Sequence, residues 1–206
     1  ALRFMGILAF KSGNHDIAEA MLTKALKLDP TYSLVWANLA QVFSVTGQLD
    51  KAKKSFKNIL NMEPKNGLIW AEYGTVLTKL ANYQEGKDAY LKALEFKPNS
   101  PRVHLSLGHV YKTMGKIDKS INSYKNTIIQ NNLSGEAYWS LANLKTYSFS
   151  ENEIKDMEKA LNGDISDIER SQMHFALGKA YEVMKDFDKS FKNYYEGNRA
   201  KKNLIK

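Results

Sequence analysis

Small and large apolar residues return along this chain at four-residue steps with polar residues between them, the spacing of one buried face on an α-helix. A small residue at Ala52 is followed four positions on by Phe56, while Lys51, Lys53, Lys54 and Lys57 occupy surface positions around them. The same pair of slots returns as Ala18 and Leu22, Gly86 and Tyr90, and Ser120 and Tyr124. A preceding helix in each unit carries a large anchor with a small residue four further on: Trp36 and Ala40, Trp70 and Gly74, His104 and Gly108. No stretch has the length of a convincing strand. The pattern predicts an all-α chain built from antiparallel helix pairs.

The pairs recur with a fixed period. Ala25-Leu-Lys-Leu-Asp-Pro30, Ile59-Leu-Asn-Met-Glu-Pro64 and Ala93-Leu-Glu-Phe-Lys-Pro98 end alike, with the prolines 34 residues apart and Asn132 in the next such slot. Proline lacks an N–H and cannot continue the second helix, so the chain must turn there. The small residues let two helix backbones approach, and the large ones fill the space between them. Period, proline stop and slots together resemble the tetratricopeptide repeat (TPR), a helix-turn-helix unit. The resemblance implies a right-handed superhelix, an α-solenoid of about six units with the fifth degenerate. In it, the first helix of each unit (A) lines a concave groove and the second (B) the convex side.

The register divides residues 1–134 into four units, 1–32, 33–66, 67–100 and 101–134. Residues 135–206 hold a degenerate fifth unit, a sixth unit and a C-terminal helix. The fifth unit, 135–170, keeps Tyr138, Leu141 and Ala142, but Lys145 stands where an aromatic belongs. Its second helix is expected to start at Ser150, an N-cap followed three residues on by Glu153. The sixth unit is expected to begin near Ser171, with its last helix running past Gly197.

Composition narrows the function classes. With 206 residues and 43% hydrophobic content, the chain can bury a core. It has no cysteine, which excludes disulfides, thiolate metal sites and a cysteine nucleophile, and permits a reducing compartment such as the cytoplasm. The apolar run Gly6–Phe10 is far short of the ~18 residues of a membrane helix, so no membrane partner is expected. The chain opens at Ala1 inside a helical pattern and reads as a piece of a longer protein.

The net charge of +8 comes from lysines spread over the second helices and turns among interleaved acids. That is the arrangement of a solvated face. Arginine is rare and no stripe forms, so no nucleic-acid partner is expected. Phosphate-loop, nucleophile-elbow and zinc-protease motifs are absent. His104 and His174 hold packing slots, and His109 has no second ligand one helical turn away. Neither a metal, a cofactor nor a catalytic residue is expected within this chain.

Binding is expected along the first helices. The repeat register places Arg3, Asn38, Gln41, Glu72, Thr75, Lys79, Arg102, Ser106, His109, Lys112, Asn143 and Lys179 on the groove floor. Asparagine and glutamine amides can hydrogen-bond the backbone of an extended protein or peptide ligand without demanding one sequence. A carboxylate-clamp subclass of the repeat family uses Lys and Asn in consecutive units. Asn38 matches one such slot, but the preceding slots hold Arg3 and Ile7, so the clamp is incomplete. Trp139, Tyr147 and Phe175 are candidates for an aromatic docking patch.

A second resemblance covers roughly residues 135–200. Gly135-Glu-Ala-Tyr-Trp-Ser-Leu-Ala-Asn-Leu-Lys-Thr146, His174-Phe-Ala-Leu-Gly-Lys-Ala-Tyr-Glu182 and Tyr195-Glu-Gly-Asn198 are similar to the junction of bacterial TPR-sulfotransferase proteins. In that family a solenoid precedes a catalytic domain that binds 3'-phosphoadenosine 5'-phosphosulfate. The resemblance implies that this chain is the non-catalytic, N-terminal part of such an enzyme, with its own downstream domain as one partner. A stand-alone scaffold or assembly factor is the alternative.

Overall fold

The computed structural model describes residues 1–204, and the final two positions of the expected 135–206 segment lie outside the described residues. Twelve helices and no strand occupy the described residues. The chain divides into two compact units, residues 1–98 and 99–206.

The first unit holds α1 (Leu2–Lys11), α2 (His15–Leu28), α3 (Ser33–Val45), α4 (Leu49–Met62), α5 (Gly67–Lys79) and α6 (Tyr83–Phe96). They pack as three hairpins, α1 on α2, α3 on α4 and α5 on α6, with α2 touching α3 and α4 touching α5. Each hairpin reverses through one residue of positive φ, at Gly13, Gly47 and Ala81. The backbone there is left-handed, which glycine adopts freely and alanine does not. The second helices stop just before Asp29-Pro30, Glu63-Pro64 and Lys97-Pro98. Two of these stops are tied to the next anchor, because the indole N–H of Trp36 donates to the Pro30 carbonyl and that of Trp70 to the Pro64 carbonyl, both at 2.8 Å. The expected slots form the core, with Ala18, Leu22, Ala40, Ala52 and Phe56 all buried. Burying one large side chain of this kind stabilises by roughly 1.5–3 kcal/mol.

The second unit opens with a regular hairpin of α7 (Pro101–Thr113) and α8 (Ile117–Gln130), turning at Gly115 with φ 71°. Proline at the first position of α7 costs nothing, since that N–H has no helical partner. A regular hairpin, α11 (Asp167–Val183) with α12 (Phe187–Asn203), also closes the unit. In both, the small slot of the second helix is a buried serine that donates across the hairpin, Ser120 to the Gly108 carbonyl and Ser190 to the Gly178 carbonyl at 2.9 Å. The structure starts α11 at Asp167, upstream of the expected Ser171, because Ser166 caps it by accepting from the Glu169 N–H. Helix α12 runs through Gly197 as expected, since Gly197 is buried against Phe175.

Between these hairpins the pattern breaks. Helix α9 (Gly135–Ala142) has 8 residues, against 13 in α3, α5 and α7. The backbone N–H and the side-chain amide of Asn143 both donate to the Trp139 carbonyl, and Leu144 then turns inward against Tyr124 and Leu141. Helix α10 (Glu151–Leu161) begins at Ser150 with both bonds of a capping box, where the sequence places it. Its buried face, Ile154, Met157 and Ala160, packs chiefly on α11. Helix α9 packs on α8 and α11. Only glycine fits at position 135, because a Cβ there would lie 2.4 Å from the Glu169 carbonyl oxygen of α11.

Candidate functional site

The expected groove residues fall in both compact units. In the first, Asn38 on α3 is half-buried, and its side-chain oxygen is buried without a hydrogen-bond partner. Arg3 Nε on α1 is in the same condition. The Arg3 guanidinium lies 4.9 Å from the Phe4 ring centre and 5.8 Å from that of Tyr32, so cation–π contact holds its head in place. Gln41 is exposed on the same helix as Asn38. Thr75 on α5 is already engaged, donating to the Ala71 carbonyl and lying 3.1 Å from the Tyr90 hydroxyl. Glu72 is half-buried, and Lys79 is exposed in the last turn of α5.

In the second unit, His109 is part of a connected chain that links α7, α8 and α9. The hydroxyl of fully buried Tyr124 is 2.9 Å from His109 Nδ1, and His109 Nε2 is 3.2 Å from Glu136 Oε1. With its proton on Nε2, the imidazole donates to Glu136 and accepts from Tyr124. The His109 bond holds the Glu136 carboxyl below its ordinary pKa, against the opposing effect of burial. His109 thus acts as a brace between helices. Among the described residues, no group of three or more His, Asp or Glu side chains is arranged to hold a metal ion. Ser106 is half-buried on α7, and Arg102 and Lys112 are exposed at its two ends.

The expected aromatic patch is two separate clusters. Trp139 and Phe175 meet at 5.6 Å between ring centres. Tyr147 touches neither, and stacks edge-on against Phe149 at 5.1 Å. Its hydroxyl donates to Glu153, and Lys125 lies over its ring. Burial and the Glu153 carboxylate push the Tyr147 hydroxyl well above its ordinary pKa. Burial also opposes ionisation of Glu153, but the Tyr147 hydroxyl, the Ser150 cap and Lys125 outweigh it and lower its pKa.

Two expected residues, Asn143 and Lys179, are brought together by the shortened α9. They line one cavity of about 390 Å³ between the segment after α9 and the C-terminal half of α11. Lys145, Val183 and Met184 line it too and were not expected there. The signal for Lys145 was present in the sequence, as a lysine in an aromatic slot. Arg102 instead borders a different cavity, together with Glu136 and Glu169.

The tetratricopeptide repeat family matches residues 9–71, and a second TPR pattern matches residues 74–115. No curated protein sequence matches the chain. Among solved structures, one from a functional characterisation of Pseudomonas aeruginosa pilF superposes with a TM-score of 0.70 at 21% identity, covering 93% of this chain and 86% of that one. A crystal structure of MamA gives 0.65 at 20% identity, covering 98% and 96%. YrrB, described as a TPR protein with an unusual peptide-binding site, gives 0.62 at 18% identity, covering 92% and 88%. At these identities the likeness establishes the helical-repeat fold.

Proposed function

Since this chain is built of tetratricopeptide repeats, we propose that it is an interaction module that binds a protein partner as an extended segment along its first helices. The observation that carries the reading is the Asn38 side-chain oxygen, buried and unpartnered at a position that the repeat register assigns to the groove. A buried acceptor without a donor costs about 1–3 kcal/mol. Asn38 is half-buried, so a turn of its side chain would present the oxygen to a backbone N–H of a bound segment and remove that penalty, and Gln41 one turn away can pair with the next peptide group. The likeness to YrrB, a repeat protein with a peptide-binding site, supports the reading. The lack of cysteine fits a reducing compartment such as the bacterial cytoplasm.

The test is to pan a phage-displayed random peptide library on the chain and measure the selected peptides by fluorescence anisotropy. Asn38→Ala with Gln41→Ala should weaken their binding while leaving helicity and the thermal midpoint nearly unchanged. Equal binding by the wild type and the variant would remove the groove assignment.

A second proposal concerns the parent protein. The strings between Gly135 and Asn198 resemble the junction of TPR-sulfotransferases, and the irregular fifth pair fits a place where the chain is re-aimed toward another domain. On this reading the chain is the non-catalytic part of a sulfotransferase. Sulfate transfer from 3'-phosphoadenosine 5'-phosphosulfate by the full-length gene product tests it. A full-length product without a strand, basic phosphate loop and helix after this region would leave a stand-alone scaffold.

A further inference from the structure

The cavity beside the shortened α9 is lined by lysines without a carboxylate, a character it shares with an open hollow at Lys27, Lys51 and Lys54, where Lys51 is already paired with Glu19. The charged groups lining the α9 cavity are Lys145 and Lys179. The cavity near Arg102 carries Glu136 and Glu169, and that beside His174 carries Asp167 and Glu196. A hollow on α2 carries Asp16 and Glu19. Neither Lys145 nor Lys179 has an acidic partner among the described residues, whereas several lysines elsewhere do, such as Lys51 with Glu19 and Lys125 with Glu153.

Beside the two lysines the lining is largely apolar. Val183 and Met184 at the end of α11 are 58% and 53% exposed, and Phe149 and Leu144 form part of the opposite wall. The volume of about 390 Å³ falls within the roughly 300–1,000 Å³ of small-ligand pockets. The hollow exists because α9 stops at Ala142. A helix as long as α7 would continue into the space where residues 143–149 now loop away. Asn143 adds a polar rim group whose N–H bonds the Trp139 carbonyl, leaving its oxygen to accept from a ligand.

We infer that this hollow is an anchor site for a large apolar side chain flanked by carboxylates, in an acidic peptide segment of a partner. The inference rests on the peptide-binding reading and adds to it a place and a chemical class. The apolar side chain covers Val183 and Met184, while Lys145 and Lys179 meet the flanking carboxylates. Opposite charges over a desolvated apolar contact favour acidic segments and reject basic ones.

The probe is a fluorescein-labelled acidic hexapeptide with a central leucine–phenylalanine pair, compared with its all-lysine counterpart by anisotropy. The intact chain should bind the acidic peptide and not the basic one, with affinity falling as salt is added. Lys145→Glu with Lys179→Glu, both at exposed positions, should weaken the acidic peptide at least about tenfold, near 1.4 kcal/mol, and admit the basic one. Val183→Asp should weaken the acidic peptide. No binding of the acidic peptide, or equal binding by wild type and charge-reversed chains, overturns the inference. Self-association abolished by the same lysine reversals would also overturn it, assigning the hollow to a second copy. The Asn38→Ala, Gln41→Ala chain separates the two readings. Library peptides that depend on Asn38 and ignore Lys145 would leave the groove reading standing and this one refuted.

Discussion

Gly108 lies on α7 directly beneath the ring of Tyr124 from α8. A Cβ at this position would stand 2.3 and 2.5 Å from two ring carbons. Tyr124 has no room to retreat, being fully buried and held through its hydroxyl by His109. Gly108→Ala therefore brings opposed effects. Alanine gains about 1 kcal/mol of helix propensity over glycine. Overpacking costs about 1–3 kcal/mol. Displacing the ring also lengthens the Tyr124–His109 bond, worth about 0.5–1.5 kcal/mol. The balance is a loss of about 0.5–3.5 kcal/mol. Urea denaturation followed by circular dichroism measures it. Gly178→Ala is the control. There the Cβ would meet the Tyr194 ring at 2.9 Å, and Tyr194 is only half-buried with its hydroxyl bonded to exposed Glu182, a partner that can move with it, so its loss should be smaller. In a Tyr124→Leu background, Gly108→Ala should cost nothing further, a coupling visible in a double-mutant cycle. A Gly108→Ala chain as stable as the wild type, or more so, would refute the reasoning, because propensity alone would then decide.

Two further outcomes follow from the backbone and the tyrosines. Ala81 sits at φ 60° in the turn slot that glycine fills at positions 13, 47 and 115. Ala81→Gly should relieve about 1–2 kcal/mol of left-handed strain and lose about 0.4–1 kcal/mol to unfolded-state entropy, a net gain of about 0–1.6 kcal/mol. A lower urea midpoint would contradict this. Burial, reinforced by neighbouring carboxylates, pushes the hydroxyls of Tyr138, Tyr181 and Tyr194 up to about 12. The folded chain thus holds these protons more tightly than the unfolded chain, whose tyrosines titrate near 10. Their stabilising contribution is complete below pH ~10 and is lost as pH rises toward ~12. All three lie in the second unit, which should unfold first in alkali, as read by tyrosinate absorbance beside circular dichroism. A urea midpoint flat across that range would refute it.

The repeat was legible because it is written in local rules. Proline after Asp29 or Glu63 must end a helix whatever surrounds it, and the slots at Ala18, Ala52, Gly86 and Ser120 show which face is buried. The capping box at Ser150 could be read for the same reason, since its partners lie three residues apart. The turn slot was less legible. Ala81 adopts a left-handed turn that its own preference opposes, imposed by the packing of α5 on α6.

The site divides along the same line. The sequence by itself determined the period, the helix pairs, the faces that pack and the positions where Asn38, Gln41 and Lys179 project from first helices. Each of these depends on residues within one or two helical turns of one another. Tertiary structure alone decided that α9 would stop at Ala142, that Leu144 would bury itself against Tyr124, and that Lys145 would then share a cavity with Lys179. It alone also joined Tyr124, His109 and Glu136 across three helices. Those outcomes turn on competition between a local helix and burial against side chains distant in sequence, and the larger buried contact wins.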